Sequence, residues 1–183
     1  REPVLRVSSF FRAFDAKSAT SRFQIGNTDD PSTSLGQTPM RSPSVFNFYR
    51  PGYVPPNTAF ATADLVAPEF QIVHETSVAG YSNFMNSAVR SGLGASSGGV
   101  RDILPDYTAE IALADNPDAL IERINLLLAN GTMSTDTKGL MRAAITSVTI
   151  PTNNATNADT ARRNRVYLAV LFGVSAPEFL SQR

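Results

Sequence analysis

The sequence predicts a mainly α fold: an irregular helical domain with about five helices and long ordered Pro/Gly-rich loops. Three observations lead there. Apolar residues recur at helical spacing in several separate segments. Proline and glycine punctuate the ends of those segments, as they do at helix starts and stops. The connections exceed the roughly 12–15 residues of an ordinary loop, and one of them is dense in aromatic rings.

The first helix is predicted over residues 3–14. Pro3 suits a first turn, where its missing N–H costs nothing, and Val4, Leu5, Val7, Phe10, Phe11 and Phe14 form one apolar face. Residues 15–37 are polar, with a strand or extended run at 22–26, RFQIG. Residues 37–56 read QTPMRSPSVFNFYRPGYVPP. Irregularly spaced prolines exclude a long helix there, because each lacks a donor and fixes its φ. The aromatics exclude a disordered linker. We therefore expect an ordered loop, with Phe46, Phe48, Tyr49 and Tyr53 buried among helices and Arg41 and Arg50 beside them.

The strongest helix is predicted over 68–90. Pro68 fits its first turn and Glu69 complements the positive end of the dipole. Phe70, Val73, Val78, Tyr81, Phe84, Met85 and Val89 would be its buried stripe, with Ser77 in a gap. The following GLGASSGG is expected to be a flexible loop. Residues 100–114 read as either a strand or a short helix. A helix at 117–129 has Asn116 as N-cap, Gly131 as its stop and Leu120, Ile121, Ile124, Leu127 and Leu128 as its stripe. The next, at 136–147, is capped by Ser134 or Thr135 and closed by Pro151. TNNATNAD is expected as a loop. The last long helix runs over 159–172, where Gly173 should break it, and 176–182 makes a final turn. Arg162, Arg163 and Arg165 near its start call for neighbouring carboxylates. APEF occurs at 67–70 and 176–179, which we read as two proline-initiated helix starts rather than a repeat.

At 183 residues the chain suits one domain, or one large piece of a bigger protein. Zero formal charge gives no footprint for nucleic acid as a partner. Only Lys17 and Lys138 are lysine; the other basic residues are arginine, and a GC-rich genome is the simplest account. With no cysteine there are no disulfides, thiolate metal sites or cysteine nucleophile. No apolar run approaches the roughly 20 residues of a membrane span.

Several blocks together resemble the C-terminal part of a bacterial family catalogued as domain of unknown function 1800. They are REPVLRVSSFFRAFDA, IGNTDDP, LGQTPMRSPSVFNFYRPGYVPP, LVAPEFQIVHETSVAGYSNFM, LLLANGTMS and RVYLAVLFGVSAPEFLSQR. The resemblance implies that residues 1–183 are the C-terminal helical region of a larger, exported protein, periplasmic or extracellular. It implies no activity. The partner would be the absent N-terminal part or another protein chain.

Candidate chemistry is sparse. His74 is the only histidine, so the paired imidazoles of an HExxH zinc site are missing. We read it as mid-helix and structural, with Glu75 the better candidate for catalysis, or for a salt bridge to Arg41 or Arg50. Asn27, Asp29 and Asp30 cluster oxygens that suit a divalent cation such as calcium, yet lack EF-hand spacing. The weightier reading is an Asx-turn, with Asp30 extended before Pro31. No cofactor motif is evident. There is no GxSxG elbow and no P-loop lysine. Two functions stand open: a structural or interaction module, and part of a metal-dependent hydrolase whose site is shared with the absent N-terminal part.

Overall fold

The computed structural model describes residues 1–181. About half of these are helical, so the mainly α expectation holds. They form eight α-helices, a 3-10 helix and a three-stranded sheet. Three of the helices are four-residue turns, α2 (Ala59–Thr62), α4 (Thr108–Ile111) and α8 (Pro177–Leu180), too short to show a period in sequence. The chain divides into two compact units. One gathers Arg1, Leu5–Gln24 and Asn86–Arg183; the other gathers Glu2–Val4 and Ile25–Met85.

In the larger unit, α5 (Pro117–Ala129), α6 (Thr135–Thr146) and α7 (Ala155–Ser175) pack on one another, and α8 packs on α5 and α7. Their starts follow capping chemistry. Asn116, Ser134 and Asn154 each accept a bond from the backbone N–H three residues on. The Ser134 N–H is itself taken by Glu178 Oε1 at 2.9 Å, so the second APEF segment helps to hold α6. Leu120, Ile124, Met141, Ile145, Val166, Val170 and Phe179 are fully buried between these helices.

The last long helix departs from expectation at both ends. It begins inside TNNATNAD, because Asn154 caps it and alanine favours the helix. Gly173 does not break it. A Cβ there would sit 2.7 Å from Ile124 Cγ2 and from Leu128 Cδ1, so the glycine lets α5 approach. Among the described residues, the carboxylates expected near its three arginines are present only at Arg162; Arg165 bonds the carbonyls of Val148 and Ala114 instead. Arg162 bonds Asp115 and Asp159, each at 3.1 Å. The final predicted turn is α8; Gln182 lies outside the described residues.

The sheet of this unit is antiparallel, in the order β1 (Lys17–Ser18), β3 (Val100–Leu104), β2 (Leu93–Ser97). GLGASSGG is thus a strand and a tight turn, not a flexible loop. Ser97 pairs with Val100, leaving Gly98 and Gly99 as the two turn residues, at φ 59° and 83°. Two positive φ values give the mirror-image turn that matches strand twist. The ambiguous 100–114 stretch holds both readings in succession, β3 and then α4. The RFQIG run forms no strand, and Phe23 sits at φ 49°. Phe10 and Phe14 of α1 (Pro3–Ala13) and its exit are buried here, with Phe14 edge-on to Tyr107 at 5.1 Å.

The smaller unit has little regular structure. The helix predicted over 68–90 is interrupted: a 3-10 helix covers Pro68–Ile72, and α3 starts only at Glu75 and runs to Ser91. The cause is local. Val73 is extended, and the Ser77 hydroxyl bonds both the N–H and the C=O of His74, both at 2.9 Å. This reaches back to the cap, so a new helix begins there. Phe70, Val73 and Val78 consequently leave the predicted stripe and are exposed, while Ser77, Tyr81 and Met85 are buried.

Residues 37–56 are ordered by successive turns, closed by Asn47 N–H to Ser44 C=O, Tyr49 to Phe46 and Tyr53 to Arg50. Their rings are less buried than expected. Phe46 is 58% exposed, and Phe48, Tyr49 and Tyr53 are half-buried. The physical reason is that tight turns point rings outward on a chain with no regular face to cover them.

Candidate functional site

The smaller unit holds most of the molecule's buried polar side chains: Thr28, Ser34, Gln37, Thr38 and Ser77. Burial of such groups is tolerable only when they find hydrogen-bond partners. Here they do. Thr28 Oγ1 donates to Gln37 C=O at 2.6 Å, and the Thr28 N–H donates to Thr38 Oγ1 at 2.6 Å. Gln37, 2% exposed, donates through Nε2 to the Glu2 carboxylate at 3.0 Å and accepts from the Val4 N–H at 3.3 Å. Asn47 Nδ2 reaches the same carboxylate at 3.3 Å. Neutral amides and one carboxylate thus fasten loop residues 27–47 to Glu2–Val4.

The acidic loop lies beside this network. The Asp29 N–H donates to Asn27 Oδ1 at 2.9 Å. Asp30 Oδ1 accepts from the N–H and hydroxyl of Ser32, and Oδ2 accepts from Thr33. These are the Asx-turns that the sequence favoured. The Ser32 and Thr33 bonds stabilise the ionised form and hold the Asp30 carboxyl below its ordinary value. Asp29 is lowered too, by the nearby Thr38 hydroxyl and by Arg41. The Thr38 hydroxyl lies 2.9 Å from Thr28 Oγ1 and 3.1 Å from Asn27 Oδ1. Arg41 is bonded to Asp29 Oδ2 at 2.8 Å. Asp29 Oδ1 is shielded from solvent and has no hydrogen-bond partner among the described residues.

Pro31 lies against α3. A Cβ on Gly80 would fall on the Pro31 carbonyl oxygen, so only glycine lets this backbone dock. Residues 31 and 32 are therefore packed against the helix that begins at Glu75.

The remaining predicted residues are not brought together. His74 is the exposed residue before the first turn of α3, not a mid-helix one. Glu75 is exposed in that first turn, near the positive end of the dipole. The expected salt bridge from Glu75 to Arg41 or Arg50 is not formed among the described residues: the Arg41 guanidinium pairs with the nearer Asp29, and no ion pair joins Arg50 to Glu75. Among the described residues no three His, Asp or Glu side chains gather around a metal-sized centre.

Residues 1–181 match the sequence model of a family described as protein of unknown function, DUF1800. The chain belongs to the DUF1800 family. No curated protein and no solved structure matches it. Parts of four blocks that carry the family resemblance, REPVLRVSSFFRAFDA, IGNTDDP, LGQTPMRSPSVFNFYRPGYVPP and LVAPEFQIVHETSVAGYSNFM, meet in the smaller unit. Glu2, Thr28, Gln37, Thr38 and Asn47 were not foreseen as its centre. They have no shared period, and only their position inside those blocks could have flagged them.

Proposed function

We propose that this chain is a structural and interaction module of an exported bacterial protein, and that it docks through the smaller unit onto another protein surface. That surface belongs either to a further part of the same polypeptide or to a separate chain. One observation carries the reading. Met40, Val45 and Phe46 project from a backbone fixed by turns and by the Arg41–Asp29 pair, with Met40 and Val45 almost fully exposed. Among the described residues, eight of the fifteen large exposed apolar side chains lie in this unit, which holds only about a third of the chain. Ordered apolar surface of this kind marks interaction sites. The absence of cysteine is compatible with a periplasmic or extracellular location, as the family resemblance implies.

Sedimentation velocity and binding of a hydrophobic dye test the proposal. The wild-type chain should bind dye while fully folded. The triple variant Met40→Ser, Val45→Thr, Phe46→Ser should lose that binding with little change in stability. A wild-type chain that stays monomeric and binds no dye would overturn it. A second reading, a share in a metal-dependent hydrolase site, draws support from the shielded, unpartnered Asp29 Oδ1 beside Asn27. Calcium titration calorimetry tests it, with Asp29→Asn as control; absence of saturable heat rejects it.

A further inference from the structure

The larger unit contains an open cleft of about 570 Å³ beside the sheet, between β3, the α4 turn and α7. It lies outside the surface on which the proposed function rests. Its walls mix rings, aliphatic side chains and charges.

The charges do not cancel. Lys17, Arg101 and Arg163 line the cleft, against Asp102 and Asp106. Both carboxylates are already engaged. Asp102 accepts from the Ser18 hydroxyl at 2.7 Å and from the N–H and hydroxyl of Thr20 at 2.8 and 3.1 Å. Asp106 accepts from the N–H and hydroxyl of Thr108, and Lys17 lies 3.8 Å from its other oxygen. One positive charge is left over. Arg101 spends one N–H on the Gly94 carbonyl. Arg163 has no ion pair or hydrogen bond among the described residues. Its neighbours on the helix differ: Arg162 is held by Asp115 and Asp159, and Arg165 by the carbonyls of Val148 and Ala114. A guanidinium presents a planar fork suited to a carboxylate.

The wall nearest it is aromatic. Tyr167 lies one turn from Arg163 on α7 and stands edge-on to Tyr107, with centroids 5.9 Å apart. The Tyr107 hydroxyl is spent on the Val89 carbonyl at 3.2 Å. The Tyr167 hydroxyl has no hydrogen-bond partner among the described residues. Leu104, Pro105 and Ile111 complete an apolar side. A few convergent polar groups over rings and aliphatic carbons are what small-molecule sites present.

We infer that this cleft binds a small organic monoanion, a carboxylate with an aromatic or alicyclic body, with Arg163 as its charge partner and Tyr167 beside its ring.

Amide chemical-shift titration of the chain with benzoate, cyclohexanecarboxylate and the neutral benzyl alcohol tests this. The carboxylates should give saturable shifts at Arg101, Thr108, Arg163 and Tyr167. Benzyl alcohol, and benzoate with Arg163→Gln, should bind at least roughly tenfold more weakly. Arg163→Lys, which keeps the charge but loses the planar fork, should bind more weakly than wild type and more tightly than Arg163→Gln, and Arg162→Gln should bind like wild type. Arg163 is exposed, so matching thermal melts will show that its variants fold. No saturable shift with either carboxylate, or unchanged binding by Arg163→Gln, would overturn the inference.

Discussion

Replacing Gly80 by alanine separates the helix-propensity argument from the docking argument. Gly80 lies within α3. By propensity alone, alanine there should stabilise the helix by about 1 kcal/mol. The structure opposes this. The new Cβ would fall on the Pro31 carbonyl oxygen, with the Ser32 and Pro31 carbonyl carbons only 2.9 and 3.0 Å away. These are backbone atoms of a loop tied down by Thr28, Asp30 and Gln37, so no rotamer change relieves the clash. Overpacking typically costs about 1–3 kcal/mol, and a backbone clash belongs at the upper end. The net expectation is a loss of about 2 kcal/mol. Gly139 supplies the control, since it sits in α6 with nothing within 4 Å of its Cβ position. Gly139→Ala should gain about 1 kcal/mol, which puts the two variants about 3 kcal/mol apart. Urea unfolding followed by circular dichroism measures both. A Gly80→Ala protein as stable as wild type would refute the docking of residues 30–32 on α3.

Phe179 is fully buried, so Phe179→Ala should cost about 3–5 kcal/mol in the same assay, whereas the exposed Phe46→Ala should cost below about 0.5 kcal/mol. Glu110 is 2% exposed and pairs with Arg123 at 3.0 Å, while Arg123 is 40% exposed. Arg123→Met strands a buried carboxylate and should cost about 2–4 kcal/mol, more than Glu110→Gln, which leaves an arginine free to rehydrate. Equal costs would contradict that burial asymmetry. Acid sensitivity follows from the carboxylates: Asp29, Asp30, Asp102 and Asp106 lie below their ordinary 3.8 when folded, and Glu122 and Glu178 below 4.5. The unfolded chain therefore takes up protons first as pH falls. The stabilisation is complete above the ordinary values and disappears as pH drops through the lower folded ones. Melting temperature should be level above about pH 5 and fall below pH 4; a rise on acidification would reverse the sign.

The long helices were legible because period and caps coincide. Asn116, Ser134 and the stripe of Leu120, Ile121, Ile124 and Leu128 mark α5 and α6 unambiguously. Errors arose where tertiary contact overrides a local signal. Gly173 reads as a breaker, yet it stays helical to admit Ile124 and Leu128. After the buried Leu93 the residues of β2 are small and carry no alternation, so only Gly98–Gly99 hinted at a hairpin. Ser77 reads as a gap in one helix, but its hydroxyl starts another. Of the candidate site, the Asx-turns at Asn27 and Asp30 were visible because they are local. The partners of Arg41 and Gln37 were not, since contacts across 12 and 35 residues leave no periodic trace.

Site-specific photocrosslinking tests the interaction reading most directly. A photoreactive residue replaces Val45 in the producing organism, with Asn153, exposed in a polar segment, as the control position. The account predicts one discrete crosslinked species from position 45, internal to the same polypeptide or joining a second protein, and none from position 153. No product above background at position 45, or the same products from both positions, would contradict it.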